Sequence, residues 1–218
     1  MFNPWNCHFL HDRQREYLHC PVCDLIFVHP AHFLTLQDER ERYDLHNNDP
    51  DDTRYRSFLS RLCSPMLNHI SPHSKGFDFG SGPGPLLSIM FAEQGHEMSI
   101  YDFFYAPDLD VFNQHYDFIT SSETIEHLHH PQVELDRLWS CLKPGGILGL
   151  MTGIRYDEID FSSWYYIRDE THVVFYSPKT FDWLAQHWRA ELQFIGDSVV
   201  IFRKAGKNHT PASGQAWI

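Results

Sequence analysis

The stretch that most restricts the fold is KGFDFGSGPGPLLSIMFAEQG, residues 75–95. A short apolar run carries Asp78, glycines follow at 80, 82 and 84, and an apolar pattern of helical spacing starts directly after them. A chain that turns this tightly between a strand and a helix needs backbone positions without a Cβ, which glycine supplies. Pro85 is expected as the first helical residue, and Gly95 marks the helix end. In an open parallel sheet, ligands sit at the carboxyl ends of the strands, where the strand order reverses. The exposed N–H groups of a helix start there attract a carboxylate or a phosphate.

The rest of the chain extends this unit. HEMSIYD, YDFITSS and GGILGLMT read as strands, and PQVELDRLWSCL and SPKTFDWLAQHW as helices, the latter opened by a Ser-Pro pair suited to the cap and first helical positions. DDTRYRSFLSRLCSPMLNHI places Tyr55, Phe58, Leu59, Leu62 and Met66 at helical spacing, with Pro65 as a break or kink. ELQFIG and SVVIFRKA, separated by Gly196 and Asp197, read as a final hairpin. The alternation predicts an α/β Rossmann-like three-layer sandwich with a mostly parallel sheet and an antiparallel C-terminal hairpin. Three zones follow: a small N-terminal cysteine-containing segment over 1–45, the α/β domain over 46–204, and a loose polar tail over 205–218.

Composition narrows the partners. The formal net charge of −12, from 29 acidic against 17 basic residues, disfavours nucleic acid. No run approaches the ~20 apolar residues of a membrane span, and the start of the chain lacks the pattern of a signal peptide. A soluble cytoplasmic protein is the expectation. Five cysteines and no export signal argue for reduced thiols or a metal site over a disulfide framework.

Asp102 follows the second strand of the alternating part, 22 residues after Gly80, where an acid grips ribose hydroxyls. The expected ligand is therefore a nucleoside with an anionic tail. Dinucleotide-binding folds want their third glycine or alanine after two intervening residues; here Gly84 comes after one, which disfavours a nicotinamide-dependent oxidoreductase. Taken together and in order, FDFGSGPGP, YD at 101–102, YDFITSSETIEHLHHP and LKPGGILGLMT resemble a class I S-adenosylmethionine-dependent methyltransferase. YDLHNND, YRSFLSRL and WYYIRDETHVVFYSPKTF are similar to a bacterial methyltransferase-like group with an N-terminal Cys-x-x-Cys segment.

The resemblance implies a seven-stranded sheet whose last strand is antiparallel. It implies that Asp78, Gly80, Ser81, Gly82 and Gly84 surround the methionine part of S-adenosylmethionine, that Asp102 holds the ribose, and that Ser121 to Glu123 line the cofactor beside the substrate opening. Only 13 residues separate Asp102 from Tyr116, so the next helix and strand are shortened or absent. Phe103, Asp108 and Asp110 are the candidates for adenine.

In SSETIEHLHHP, Glu123, Glu126 and His127 stand at i, i+3 and i+4, on one face if the chain turns helical. Two carboxylates and an imidazole, with His172 as a fourth ligand, suit a divalent metal such as Mg or Mn. An acid-x-x-acid-His run of this kind is similar to that of small-RNA 2′-O-methyltransferases and of the O-methyltransferases of ubiquinone synthesis, where it implies metal binding. The alternative is a Glu-His pair that orders the loop after the strand. Without metal, His127 or His172, assisted by Glu126, is the candidate general base, because imidazole titrates near neutral pH. His129 and His130 read as a solvated loop.

The segment FSSWYYIRDETHVVFYS is the expected acceptor-side insert. Trp164, Tyr165, Tyr166, Phe175 and Tyr176 either wall a pocket for a flat small-molecule acceptor or belong to the core, and Arg168 could pair with an anionic group. Cys20-Pro-Val-Cys23 resembles one knuckle of a zinc ribbon, with Cys7 and His8 or His11 as the remaining ligands of a structural Zn; the alternative is a remnant ribbon held by packing. The expected function is methyl transfer from S-adenosylmethionine to an acceptor oxygen. Its rival is a non-catalytic protein that binds S-adenosylmethionine or S-adenosylhomocysteine.

Overall fold

The computed structural model describes residues 8–12, 14–45 and 52–206. Three strands come first, β1 (His8–His11), β2 (Glu16–His19) and β3 (Ile26–Val28), followed by helices α1 (Leu36–Tyr43) and α2 (Thr53–Leu67). The alternating part runs β4 (Lys75–Phe79), α3 (Leu86–Glu93), β5 (Glu97–Tyr101), β6 (Tyr116–Ser122), α4 (Pro131–Ser140) and β7 (Leu142–Met151). A short strand β8 (Val174–Phe175), helix α5 (Pro178–Trp188) and the strands β9 (Glu191–Ile195) and β10 (Val199–Arg203) follow.

The main sheet has the order β5-β4-β6-β7-β10-β9. β4 to β7 are mutually parallel, and β10 is antiparallel to both of its neighbours. The Rossmann-like sandwich is therefore present, but with six strands where seven were expected. The residues between Asp102 and Tyr116 make a tight turn closed by the Asp102–Ala106 bridge and a 3₁₀ turn at Leu109–Asn113. Adding a parallel strand takes a crossover of about a dozen residues besides the strand itself, and the chain has too few.

Side-chain alternation shows why the sheet is covered on both faces. Along β10, Val199 and Ile201 pack with Leu59, Leu62 and Met66 of α2 and Leu86 and Phe91 of α3. Val200 and Phe202 point the other way, to Leu135 and Leu138 of α4 and Phe181 and Leu184 of α5. A period of two places successive residues on opposite faces, so a strand apolar at every position belongs in the middle layer. A Cβ on Gly149 of β7 would lie 2.5 Å from Met66 Sδ; its absence lets α2 press against the sheet.

The caps follow the sequence closely, with one exception. Ser177 caps α5 in a reciprocal pair with Thr180, and Pro178 takes the first position. Asp52 caps α2, accepting from the N–H groups of Arg54 and Tyr55, and the helix stops two residues beyond Pro65. Pro85, however, is the residue before α3 and not its first helical one, with φ −76° and ψ 54°.

The N-terminal strands join a second sheet, ordered β1-β2-β3-β8, through the pairs Ile26–Phe175 and Phe27–Val174. Tyr17, Ile26 and Val28 share an apolar cluster with Phe161, Trp164, Tyr166, Ile167, Val173 and Phe175. The N-terminal segment is thus built onto the insert that follows β7. Among the described residues no helix is long and apolar enough to cross a membrane.

Candidate active site

The strand order reverses between β4 and β6, and the two loops leaving their carboxyl ends meet there. Gly80 has φ +78° and Gly82 +64°, the left-handed region that glycine enters without strain. The Gly80 and Ser81 N–H groups donate to Tyr101 O, and the Gly82 N–H donates to Asp102 Oδ2 at 2.9 Å. Asp102 Oδ1 accepts from the N–H groups of Phe104 and Tyr105. One carboxylate therefore fixes both the glycine turn and the loop after β5. Across the switch point, Thr124 Oγ1 donates to Gly80 O.

Behind the turn lies Asp78, buried, with Oδ1 accepting from Thr120 Oγ1 at 2.9 Å. Burial, with a smaller contribution from the charge of Asp102, pushes its carboxyl up to about 7. The hydroxyls of Ser81 and Ser121 are buried without a hydrogen-bond partner. Buried polar atoms are nearly always paired; these two are exceptions, closed off from solvent beside the turn.

β6 ends in a strained residue. Glu123 has φ +48°, a left-handed conformation that costs a side-chain-bearing residue about 1–2 kcal/mol. The chain then makes a single 3₁₀ turn, Ile125–His127, in place of a continuing helix. Glu126 is fully buried. Its Oε2 accepts from Thr152 Oγ1 at 2.9 Å, and its Oε1 accepts from the Tyr166 hydroxyl. That phenol also accepts from Gly153 N–H and reaches Glu123 Oε2 at 3.4 Å. Burial and then the charge of Glu126 push Glu123 up to about 8, and burial raises Glu126 as well.

Two imidazoles complete the cluster. His127 Nδ1 faces Thr171 O at 3.0 Å and His172 Nδ1 faces Tyr166 O at 2.8 Å. A carbonyl can only accept, so each Nδ1 carries a proton and Nε2 is the basic nitrogen. Burial, then the neighbouring His127, lowers the pKa of His172 and keeps it neutral. Ligand atoms of Glu126, His127 and His172 all lie within 4.8 Å of one another. Glu123, expected in the same set, is outside that group and touches it only through the Tyr166 hydroxyl, because the 3₁₀ turn does not continue the i, i+3, i+4 face back to residue 123.

These loops enclose a cavity of about 820 Å³. Gly80, Ser81, Gly82, Asp102, Phe103, Glu123, His127 and His172 are on its wall; Asp78, Gly84, Ser121 and Glu126 lie behind it, and Asp108 and Asp110 are not on it. Of the insert's aromatics, Tyr165 and Tyr166 face the cavity, while Trp164, Phe175 and Tyr176 are core. Arg168 is at the rim. His129 is not in a solvated loop as expected: it is half-buried, bonded to Glu39 Oε1 at 2.8 Å and stacked on Phe33 at 4.2 Å. α1 contributes Tyr43, whose ring meets His127 edge-on at 5.3 Å, and α2 contributes Tyr55 and Phe58. Helical spacing is all the sequence gives for the last two, and nothing local distinguishes a core ring from one on a cavity wall.

The cysteine knuckle is a turn between β2 and β3, closed by Cys20 N–H to Leu25 O and Asp24 N–H to Cys20 O, both at 2.8 Å. Burial pushes the Cys23 thiol up to about 11. Cys7 lies outside the described residues. Among those residues no third His, Cys, Asp or Glu joins Cys20 and Cys23 as a metal cluster. His19, the nearest histidine in sequence, is paired with Asp24 at 2.9 Å.

Residues 52–190 match the family model described as "Methyltransferase domain", and the chain belongs to that family. S-adenosylmethionine is accordingly its cofactor, and the nicotinamide alternative is set aside. Several solved structures share the fold. A Burkholderia thailandensis 1,6-didemethyltoxoflavin-N1-methyltransferase, solved with 1,6-didemethyltoxoflavin and S-adenosylhomocysteine, is 15% identical over 91% of this chain and 99% of its own, with a TM-score of 0.56. A chain from a Haloferax volcanii complex between the Trm112 methyltransferase activator and a protein described as a methyltransferase is 12% identical over 72% and 95%, with a TM-score of 0.52. A Galdieria sulphuraria protein described as a sarcosine dimethylglycine methyltransferase is 16% identical over 76% and 91%, with a TM-score of 0.50. No curated protein sequence matches significantly.

Proposed function

We propose that this methyltransferase transfers the methyl group to an oxygen of a small-molecule acceptor, with His172 or His127 as the base that removes the hydroxyl proton. The observation that carries the reading is the pair of Nδ1–H imidazoles beside a buried carboxyl at one wall of the cavity. The Burkholderia neighbour is named for methylation at N1, so the shared fold does not choose the acceptor atom. A hydroxyl becomes a strong nucleophile only on losing its proton, whereas a neutral amine attacks as it stands, so a positioned base favours an oxygen acceptor.

S-adenosylmethionine supplies a methyl group already activated on a sulfonium. The chain's task is to hold donor and acceptor in line, which supplies most of the rate effect. Gly80, Ser81 and Gly82 on the cavity wall are suited to the methionine part, with Asp78, Gly84 and Ser121 behind them. Asp102 and Phe103 are suited to the nucleoside, and Glu123 stands where donor and acceptor meet. Tyr43, Tyr165 and Tyr166 offer rings to a flat acceptor and exclude water from it. A net charge of −12 argues against a nucleic-acid acceptor.

Glu126, His127 and His172 could also hold a divalent metal such as Mn²⁺ or Mg²⁺; their donor set fits, since imidazoles and a carboxylate suit such ions. A metal there would lower the pKa of an acceptor hydroxyl. In that case the Nε2 atoms would serve as ligands and the metal, not an imidazole, would activate the hydroxyl.

The test is S-adenosylhomocysteine release from the chain with a panel of phenols, catechols and hydroxylated heteroaromatics. Turnover that falls 10²- to 10⁴-fold in His127→Ala or His172→Ala is expected, the range for loss of a general base. Turnover on amines alone, or on a phenol with both alanine variants fully active, would refute the oxygen reading.

A further inference from the structure

The carbonyl groups of the loop spanning 166–172 are divided between two sides. Those of Tyr166 and Thr171 accept from the imidazoles of His172 and His127. Those of Ile167, Asp169, Glu170 and His172 accept from a single guanidinium, that of Arg15. Its Nη1 donates to Asp169 O and Glu170 O at 3.3 Å and to His172 O at 3.1 Å, and its Nη2 donates to Ile167 O. Arg15 stands just before β2, is only 6% exposed, and lies 5.4 Å from the centre of the Tyr17 ring. Among the described residues no carboxylate forms an ion pair with it.

Asp12, whose Oδ1 accepts from the Arg15 backbone N–H, is a nearby negative charge, but a buried cation out of ion-pair contact is costly unless its donors are used. Here the donors converge on the loop that carries Tyr166 and His172. A planar fork can hold several carbonyls in fixed directions, which an ammonium cannot. The peptide planes of a short loop are linked, so fixing four of its seven carbonyls leaves those of Tyr166 and Thr171 few directions to point.

We propose that Arg15 is a positioning residue for the two site histidines. By gripping the carbonyls of Ile167, Asp169, Glu170 and His172, it turns those of Tyr166 and Thr171 toward the imidazoles and sets both rings as Nδ1–H tautomers. It touches neither acceptor nor cofactor. This gives the N-terminal strands a part in the chemistry: they deliver the guanidinium that shapes the loop. The functional meaning rests on the base reading above, but the tautomers can be read without any turnover.

The test is long-range ¹H–¹⁵N spectroscopy of the imidazole rings in the chelator-treated full chain at pH 8. The wild type should show protonated Nδ1 and unprotonated Nε2 at both His127 and His172. Arg15→Met should move both rings toward tautomer mixtures, with the two nitrogen shifts converging. Phe161→Leu trims the same apolar cluster and should leave both rings unchanged, which separates positioning from general loosening. If Arg15→Met does not accumulate folded, Arg15→Lys decides, and at least one ring should lose its Nδ1–H signature. Wild-type tautomers at both rings in whichever variant folds, or a wild type that lacks them, would overturn the proposal. Failure of the base reading would look different: intact tautomers with undiminished turnover in the alanine variants.

Discussion

Asp78 offers a prediction whose size follows from its surroundings. Its carboxyl is buried behind the glycine turn with one hydroxyl partner, and its pKa is pushed from 3.8 to about 7. A carboxyl whose folded pKa exceeds its unfolded one binds its proton more tightly in the native state. Stability is then greatest below about pH 4 and falls as the pH rises to about 7. At about 1.4 kcal/mol per pH unit, the full loss is about 4 kcal/mol, of which about 3 falls between pH 5 and pH 8. Asp78→Asn keeps Oδ1 as an acceptor for Thr120 and does not titrate. Urea unfolding of both proteins at pH 5 and pH 8 isolates this group, because the other titrating acids are common to the two. The stability of Asp78→Asn relative to wild type should rise by about 3 kcal/mol from pH 5 to pH 8. A relative stability that stays constant, or falls, would show that Asp78 is not held in its neutral form.

Gly80→Ala places a Cβ 2.2 Å from Thr124 Oγ1 and Cγ2 at a residue with φ +78°. It should cost at least the ~1–2 kcal/mol of left-handed strain, seen as a lower urea midpoint, and weaken S-adenosylmethionine binding tenfold or more by calorimetry. Phe118 is fully buried in the sheet, packed on Phe91 at 4.9 Å and on His96 at 5.4 Å. Phe118→Ala should lose about 3–5 kcal/mol in the same unfolding assay, while any cofactor affinity that survives in the folded fraction stays near wild type.

What could be read from the sequence is what local chemistry decides. Gly80 and Gly82 announce a left-handed turn, Ser177 and Pro178 a helix start, and the runs around Gly196 a hairpin, and each stands where expected. The 13 residues after Asp102 pointed to a shortened crossover, yet the resemblance to seven-stranded relatives outweighed that count and added a strand absent among the described residues. The pairing of Phe27 with Val174 joins segments far apart in the chain, and neither segment's pattern names its partner. The same holds for Arg15: a lone arginine before a short strand looks like a surface residue until the loop it grips is in place. Glu123 shows a third kind of limit. Nothing about a glutamate advertises φ +48°, since only the surrounding structure can impose a conformation its own sterics oppose. That one residue breaks the helical face on which Glu123, Glu126 and His127 were expected to stand together, leaving Glu126, His127 and His172 as the cluster.

The central claim is that the cavity at the switch point between β4 and β6 binds the methyl donor. Calorimetric titration of the chelator-treated chain with S-adenosylmethionine tests it most directly, with Asp102→Ala as the matched variant. One site per chain with micromolar affinity, about −8 kcal/mol, weakened tenfold or more in Asp102→Ala, is the predicted result. No saturable heat at millimolar S-adenosylmethionine, or full-strength binding to Asp102→Ala, would contradict the account.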